Sequence, residues 1–384
     1  MFDRLLRGRL RGLARRFPAL VILGARQVGK TTLARAVFAD SHYADLEDPR
    51  TAQRFHDDPR YALDAYGGGL VLDEAQTVPA VFAALRGAID ADRSRNGRFV
   101  LLGSAQPGLV RGVAESLAGR AAVVELEPLT ACEAATGSRP QQWRTLWLKG
   151  GFPDALRHEF REWWEAYLRT LLERDLAQYG VAADPLFLRR LLTMLAHQHA
   201  GLFNASALGA SLGVSYHTVQ RHVDVLESVF LVRRLAPYFR NVGKRLTKAP
   251  KIYLRDTGLL HHLLNISSEN DLSNHPSRGA SWEGFVIEDL LRRERVAHPG
   301  SQPWFWRTAA GAEIDLLLDR GSTRVAVEVK TGRGADSRAV RMLREALPDA
   351  GAQRAWIVDQ GSGIEPVGPG IARAGFAEVR DGTP

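Results

Sequence analysis

The sequence predicts a multidomain α/β protein: an N-terminal parallel-sheet domain, a helical lid, a winged helix-turn-helix and a C-terminal α/β domain. Three observations predict this. A glycine-rich stretch follows an apolar run at residues 19–31, residues 203–239 show two helical patterns around a glycine turn, and two apolar runs near residues 315 and 328 each carry an acid. A chain of 384 residues is too long for one compact core. We expect domains at residues 1–125, 126–185, 186–262 and 275–384.

Composition points to an ordinary globular protein, with 45% hydrophobic and 24% charged residues. Apolar runs do not reach the roughly 18 residues of a membrane-spanning helix, so we expect no membrane partner. The basic N-terminus could be mistaken for a signal peptide, but its apolar part, PALVILG, continues directly into the glycine-rich stretch. The single cysteine, Cys132, excludes an internal disulfide and indicates a reducing, cytoplasmic location.

The stretch GARQVGKT, residues 24–31, has the spacing of a phosphate-binding loop between a strand and a helix. Its glycines let backbone N–H groups point at phosphate oxygens, and the helix N-terminus favours an anion there. Lys30 is expected to reach the β and γ phosphates of ATP, and Thr31 to bind Mg²⁺. The expected ATP-binding residues are Gly24, Gln27, Val28, Gly29, Lys30, Thr31, Thr32 and Asp73.

Two further strand ends complete the predicted nucleotide site. The run GGLVLDEAQ ends a strand in Asp73, which is expected to hold Mg²⁺, and in Glu74, which is placed to activate the attacking water. The run RFVLLGSAQP ends another strand at Ser104, which is expected to sense the γ-phosphate. With HYADLEDP as a further strand, alternating strands and helices predict a parallel sheet whose ligand lies at the carboxyl ends of its strands.

These motifs resemble those of AAA-type ATPases. The resemblance implies a homo-oligomeric ring, most simply a hexamer, in which an arginine of one subunit reaches the γ-phosphate held by the next. Arg120 in ESLAGR is our choice for that arginine and Arg111 is the second choice. A surface arginine without this role is the open alternative at either position.

The middle of the chain reads as a helical lid followed by a winged helix-turn-helix. Four tryptophans in residues 125–180 are expected to pack in the core. Residues 203–239 predict one helix, a turn at Gly213 and a second helix capped by Ser215. Two strands around a basic wing are expected to follow the second helix. The expected DNA contacts are His217, Gln220, Arg221, Lys244, Arg245 and Lys248.

Charge supports this interpretation, because residues 186–260 contain eleven Lys and Arg against three acids, a difference equal to the net charge of +8 of the whole chain. A localised basic segment favours a polyanionic partner, here duplex, forked or branched DNA. The alternatives are a solvated surface and a winged helix that packs only against protein.

The C-terminal region has helix SWEGFVIEDLLRRE, strand PWFWRT, a hairpin formed by AEIDLLLD and RVAVEVK, a further helix, and a final strand RAWIVD. Asp315 and the pair Glu328 and Lys330 lie on neighbouring strands, with Glu283 on the first helix. The order resembles the PD-(D/E)xK nuclease core. The resemblance implies Mg²⁺ held by Glu283, Asp315 and Glu328, with Lys330 in a catalytic role; a core that only grips DNA, or a hairpin with an ion pair, remains open.

Residues 15–380 resemble a prokaryotic family that joins an AAA-type ATPase to a C-terminal domain of unknown function, DUF4143. The matching phrases are GARQVGKTTLA, LVLDEAQ, SLAGR, GGFPDAL, RDTGLLHHLL, WEGFVIEDLL, EIDLLL and VEVK. We therefore expect an ATP-dependent enzyme that binds and remodels DNA, with an uncertain endonuclease activity. The alternative is a nucleotide switch in regulation or defence that controls DNA binding or nuclease activity without moving along DNA.

Overall fold

This computed structural model describes residues 2–104, 107–135, 142–178, 184–239, 248–309, 311–334 and 336–379, with the side chains of residues 107–111 and 178 left undescribed. The chain folds as two compact units. The first comprises Met1–Pro128, Asp175–Val181 and Ser228–Phe230, and the second comprises Leu129–Arg174, Ala182–Glu227 and Leu231–Pro384.

The α-helices of the described residues are, in chain order, α1 (Leu6–Ala14), α2 (Lys30–Val37), α3 (Pro49–Asp57), α4 (Pro59–Asp64), α5 (Ala80–Ala91), α6 (Pro107–Ser116), α7 (Ala131–Ala134), α8 (Gln142–Lys149), α9 (Pro153–Arg157), α10 (Phe160–Thr170), α11 (Leu176–Gln178), α12 (Pro185–His197), α13 (Ala205–Leu212), α14 (Tyr216–Ser228), α15 (Thr257–Leu263), α16 (Glu269–Asn274), α17 (Arg278–Ala297), α18 (Ser337–Ala350) and α19 (Phe376–Val379). A 3₁₀ turn covers Ala75–Thr77, and a π-helical turn covers Leu171–Asp175.

The strands are β1 (Ala19–Leu23), β2 (His42–Asp45), β3 (Leu70–Asp73), β4 (Phe99–Gly103), β5 (Ala121–Glu125), β6 (Val232–Leu235), β7 (Lys251–Leu254), β8 (Gln302–Arg307), β9 (Glu313–Asp319), β10 (Arg324–Val329), β11 (Arg354–Asp359), β12 (Ile364–Gly368) and β13 (Ile371–Gly375).

The first unit is built on a five-stranded parallel sheet in the order β2-β3-β4-β1-β5. Strands β1, β3 and β4 are apolar along their length and almost wholly buried, as expected for a parallel sheet covered on both faces. Helices α3 and α4 each begin with an aspartate cap followed by proline, a combination that fixes a helix start. The predicted parallel sheet is confirmed, and its carboxyl ends bring the predicted ATP-site residues to one edge.

The second unit contains a six-stranded mixed sheet in the order β12-β13-β11-β10-β9-β8. Strands β9 and β10 form the predicted antiparallel hairpin, with Leu318 opposite Val325. Helix α18 covers the sheet, and its Leu343 packs with Leu317 and Ile357 in one core. The prediction of RAWIVD as the final strand is wrong, because β12 and β13 continue the sheet. Strand β12 is largely exposed and both strands end in glycine, which gives a weak strand pattern.

The helix-turn-helix elements also lie in the second unit, where the sequence predicts them. Helix α13 ends at Gly213, whose φ of 69° is easily adopted only by glycine. The Ser215 hydroxyl accepts a hydrogen bond from the Thr218 N–H at 3.1 Å and so caps α14. Strands β6 and β7 then pair antiparallel, with Val232 opposite Leu254.

The predicted tryptophan core is largely confirmed. Trp143, Trp147 and Trp164 are buried, and Trp163 is half-buried. The rings of Trp143 and Trp147 both pack against Trp282 of α17, with centroids 5.2 and 5.1 Å away. Within the part of the chain that the structure describes, every helix is too short or too polar to cross a bilayer.

Candidate functional site

The glycine-rich loop joins β1 to α2 in a conformation that depends on its glycines. A Cβ built on Gly24 would lie 2.3 Å from the carbonyl oxygen of Leu126, so only glycine fits. Gly29 has φ of 100° directly before α2, and Gln27 has φ of 60°. Val28 is buried and Thr32 is exposed. The backbone therefore curls around a space at the N-terminus of α2, the arrangement that receives phosphate groups.

Lys30 is the cation of this loop and is only 6% exposed. Its Nζ donates to the carbonyl oxygens of Gly24 and Ala25 at 3.1 and 3.0 Å. Burial lowers the pKa of Lys30, while the nearby carboxylates of Glu74 and Asp73 oppose that shift. A buried ammonium held by loop carbonyls is placed to exchange these contacts for phosphate oxygens.

Asp73 is the centre of a hydrogen-bond network at the end of β3. Its Oδ2 accepts hydrogen bonds from the Thr31 hydroxyl at 2.6 Å and the Tyr43 hydroxyl at 2.7 Å. Burial, followed by the bond to Asp73, raises the pKa of Tyr43, so the phenol remains a donor. The structure thus brings Thr31 and Asp73 together as predicted, while Tyr43 on β2 was missed because a tyrosine in a short strand resembles a packing residue.

Glu74 follows Asp73 in a left-handed conformation, with φ of 51° and ψ of 46°. Such a conformation is uncommon for a residue with a side chain and is often found at functional sites. Burial is the main cause that raises the pKa of Glu74. The Gln76 side chain donates a hydrogen bond to the Glu74 carboxylate. This contact was not predicted, although Gln76 lies only two residues after Glu74. Ser104 is buried at the end of β4, which lies between β1 and β3.

The residues present therefore fit Mg²⁺ and a nucleoside triphosphate. Gly24 lets the loop pack closely against Leu126, and Lys30 supplies the counter-charge for phosphates at the N-terminus of α2. Thr31 and Asp73 provide oxygen atoms of the kind that Mg²⁺ prefers. A bound Mg²⁺ offsets charge on the phosphates, and Glu74 is the group available to orient water.

Arg120 lies just before β5, at the amino end of the sheet, where its carbonyl oxygen accepts from the Ala19 N–H. Its guanidinium makes two hydrogen bonds to Asp90, at 2.9 and 2.8 Å. It is therefore remote from the phosphate loop of its own subunit, and a role in another subunit stays a prediction. The side chain of Arg111 lies outside the described residues.

The predicted DNA contacts of the helix-turn-helix share one surface. His217 and Arg221 are exposed and Gln220 is half-buried, all on one face of α14. Tyr216 beside them is 41% exposed. Lys248 is exposed before β7, whereas Lys244 and Arg245 lie outside the described residues.

Much of the positive charge counted in residues 186–260 is not on a free surface. Five of its cationic side chains contact acids: Arg189 with Glu165, Arg233 and Arg255 with Glu288, Arg234 with Asp224 and Glu227, and Lys251 with Glu283, Glu313 and Asp315. Most of these acids lie outside the counted segment. The charge excess of +8 in residues 186–260 is therefore weaker support for a basic surface than the sequence suggests.

The C-terminal acids surround a lysine. Lys251 of β7 is 2% exposed, and its Nζ contacts Glu283 Oε1 at 2.8 Å, Asp315 Oδ1 at 3.2 Å and the Glu313 carboxylate. Burial alone would lower the pKa of Lys251, but the surrounding acids, Asp315 first, raise it well above its usual value. The sequence prediction counted Lys251 only as part of the basic segment. A lysine that begins an apolar strand could have indicated a buried lysine paired with an acid.

The remaining predicted residues of this core are close to that lysine cluster. Lys330 Nζ bonds Glu328 Oε1 at 2.6 Å, and Asp315 Oδ2 accepts from the Val329 N–H at 2.9 Å. Burial first, and Asp315 second, raise the pKa of Glu328 to about 8; the same two causes raise the pKa of Glu283 to about 7. Across the described residues, groups of three or more acids, histidines or cysteines arranged to hold a metal are absent. A lysine ammonium lies among the residues predicted to hold Mg²⁺, and the predicted metal site stays a prediction.

Three family models match the chain: an AAA domain over residues 16–135, a domain of unknown function (DUF8612) over residues 140–270, and another (DUF4143) over residues 278–373. An uncharacterized protein of Mycobacterium tuberculosis is 41% identical over 360 residues, covering 92% of this chain and 79% of that protein. This chain belongs to the family of AAA-domain ATPases that carry a C-terminal DUF4143 domain. The protein is thus a P-loop ATPase, of the class that binds ATP with Mg²⁺.

More distant similarities add little to this assignment. An uncharacterized protein of Haemophilus influenzae is 26% identical to this chain over 248 residues, covering 58% of this chain and 57% of that protein. A Walker-type ATPase of Pyrococcus abyssi has 14% identity and a TM-score of 0.48, covering 69% of this chain and 96% of that chain.

Proposed function

We propose that the protein binds DNA through its helix-turn-helix and that bound DNA stimulates its ATP turnover. The exposed face of α14 is the observation that carries this proposal. Tyr216, His217, Gln220 and Arg221 lie at its N-terminal end on one side, and Arg221 has no ion-pair partner within the described part of the chain. An aromatic ring, an amide and two basic groups on one helix face match the chemistry of base edges and phosphates.

The proposal includes assembly as a ring, most simply a hexamer, with Arg120 acting on the ATP of a neighbouring subunit. Its position at the amino end of the sheet supports this, because it lies away from its own phosphate loop. Asp90 would then hold Arg120 between catalytic encounters. Forked and branched DNA are the proposed preferred substrates of such a ring, and cleavage by the C-terminal core is not part of the proposal.

DNA affinity is the first test, measured by fluorescence anisotropy over a salt series with labelled linear, forked and four-way DNA. Arg221→Glu is expected to weaken binding by roughly tenfold or more, since it replaces an attractive contact by a repulsive one. Arg86→Glu makes the same charge change at an exposed position of α5 and should bind like wild type. Lys248→Gln should reduce the slope of log affinity against log salt by about 0.9 if Lys248 contacts a phosphate.

ATP turnover with and without each DNA is the second test. Stimulation by DNA in wild type and in Arg86→Glu, with loss of stimulation but normal basal turnover in Arg221→Glu, is the expected result. Absence of DNA binding by wild type, or equal binding by both arginine variants, contradicts the proposal. Stimulation by linear DNA that equals stimulation by forked and four-way DNA removes the branched-substrate part alone.

A nucleotide switch is the second candidate, and one ion pair favours it. Arg26 within the phosphate loop bonds Asp175 Oδ1 at 2.7 Å, and Asp175 is completely buried at the end of the π-helical turn. Turns of this kind are frequent at functional sites. Phosphate groups can compete with a carboxylate for a guanidinium, so ATP binding could release Asp175. A switch predicts slow turnover, no DNA movement, and DNA affinity that changes between ATP-bound and nucleotide-free protein.

A further inference from the structure

Lys251 occupies the centre of the C-terminal acid cluster. Its ammonium contacts carboxylates from two elements, Glu283 on α17 and both Glu313 and Asp315 on β9. It is also 5.8 Å from the ring centroid of Phe305. Two of its three acidic partners, Glu283 and Asp315, are the residues for which the sequence indicates a divalent cation.

The charges of the cluster are closely balanced around that ammonium. Four carboxylates, those of Glu283, Glu313, Asp315 and Glu328, face three cationic side chains, those of Lys251, Arg307 and Lys330. Without Lys251 two negative charges would be in excess, which equals the charge of one Mg²⁺ or Mn²⁺. Buried acids with uncompensated charge are costly, and a nearby cation offsets that cost.

Glu328 supplies an independent indication that this cluster can take a ligand. The residue is 5% exposed, and its Oε2 is buried without a hydrogen-bond partner, while its Oε1 accepts from Lys330. Buried polar atoms are rarely left unpaired, and an unpaired carboxylate oxygen is a vacant ligand for a hard cation.

We propose that Lys251 is a built-in cation that keeps divalent metal out of the C-terminal core, and that removing its charge lets the acids around it, Asp315 among them, rearrange to bind Mg²⁺ or Mn²⁺. The core is therefore metal-free in the resting protein. Its carboxylates serve to hold β7 through Lys251. This proposal does not depend on DNA binding or on the ATP site.

The backbone next to Lys251 is held on both sides. Strand β7 pairs with β6, and its Ile252 also exchanges backbone hydrogen bonds with residues 200 and 201, at 2.8 and 2.9 Å. The backbone that carries Lys251 thus belongs to a strand bonded along both edges. Substitution of Lys251 is the direct way to open the site.

The test is Mn²⁺ binding to nucleotide-free, full-length protein, followed by electron paramagnetic resonance of the free ion. Wild type and Lys251→Met are compared with Lys251→Met/Asp315→Asn. Lys251→Met is expected to bind about one more Mn²⁺ per chain than wild type, because the remaining acids match the preference of a hard cation. The double variant should lose that additional ion. Any weak binding at the phosphate loop is common to all three proteins and cancels in the comparison.

A methionine at position 251 leaves buried acids unpaired and is expected to destabilise the second unit. Lys251→Met/Glu313→Gln removes one acid as well and is the second variant. For both, the thermal unfolding midpoint with and without Mn²⁺ reports binding even when stability is low, since a ligand of the folded state raises the midpoint. ATP turnover confirms that the first unit is intact.

An additional Mn²⁺ in both Lys251 variants, or a Mn²⁺-dependent rise in their unfolding midpoint that wild type lacks, supports the proposal. Wild type that binds as many ions as Lys251→Met overturns it, since Lys251 then excludes nothing. Variants that gain neither an ion nor Mn²⁺-dependent stability overturn it as well, because the cluster is then only an internal ion-pair network.

Discussion

Replacing Gly24 with alanine tests the geometry of the phosphate loop directly. The new methyl carbon would lie 2.3 Å from the carbonyl oxygen of Leu126 and 3.2 Å from a methyl of Val28. Ordinary contact needs about 3.5 Å, so the loop or Leu126 must move by roughly 1 Å. Leu126 cannot yield easily, because its N–H donates to the carbonyl of Leu23 at 2.7 Å, next to the substituted residue. A displacement of this size in groups that position a substrate is expected to lower kcat/KM for ATP about 100-fold.

The assay is steady-state phosphate release with saturating Mg²⁺, and the matched control is Gly12→Ala on α1. A Cβ at Gly12 would have no atom within 4 Å, so the same chemical change in the same unit should leave turnover unaltered. Circular dichroism of both variants checks that the sheet has formed. Turnover by Gly24→Ala at the wild-type rate would refute the steric argument, as would an equal loss in both variants.

Lys30→Ala should abolish ATP hydrolysis, whereas Glu74→Gln should bind ATP without cleaving it. Filter binding measures the bound ATP and phosphate release measures its cleavage. Normal turnover by Glu74→Gln would show that Glu74 does not activate the attacking water. Burial raises the pKa of Glu74 above its ordinary 4.5, and a base must be ionised to act. The rate of ATP turnover should therefore fall as the pH drops through a value above 4.5. A pH profile of turnover at saturating ATP whose acid limb lies at or below 4.5 would contradict this. Arg233→Met leaves the buried carboxylate of Glu288 without its main partner and should lower the free energy of unfolding by about 3–5 kcal/mol in urea titration, most of which Arg233→Met/Glu288→Leu should restore.

Much of the ATP site could be predicted from the sequence because its function is carried by contiguous residues. The loop from Gly24 to Thr31 requires glycines at fixed positions, and those requirements are local backbone geometry. An apolar run followed by Asp73 and Glu74 likewise predicts a buried strand with acids at its end. The parallel arrangement of such strands then brings their carboxyl ends together without knowledge of individual contacts. Tyr43 and Gln76 could not be predicted with equal ease, because their roles depend on distances to Asp73 and Glu74.

The tertiary structure decided which charged side chains form ion pairs. A count of residues 186–260 gives eleven cations and three acids, yet Arg233 bonds Glu288, which lies 55 positions along the chain. Coulomb attraction depends on the distance between two groups and on their burial, and neither is encoded in a local count.

The C-terminal core shows the same limit most clearly. The sequence by itself determined the hairpin, its acids and their common face, because alternation along a strand sets which side chains lie together. It could not show that Lys251, 64 positions before Asp315, would lie among those acids, since that contact depends on how β7 packs against α17 and β9. Both a divalent ion and a lysine ammonium can offset the charge of such carboxylates, and only the folded arrangement shows that Lys251 lies among them.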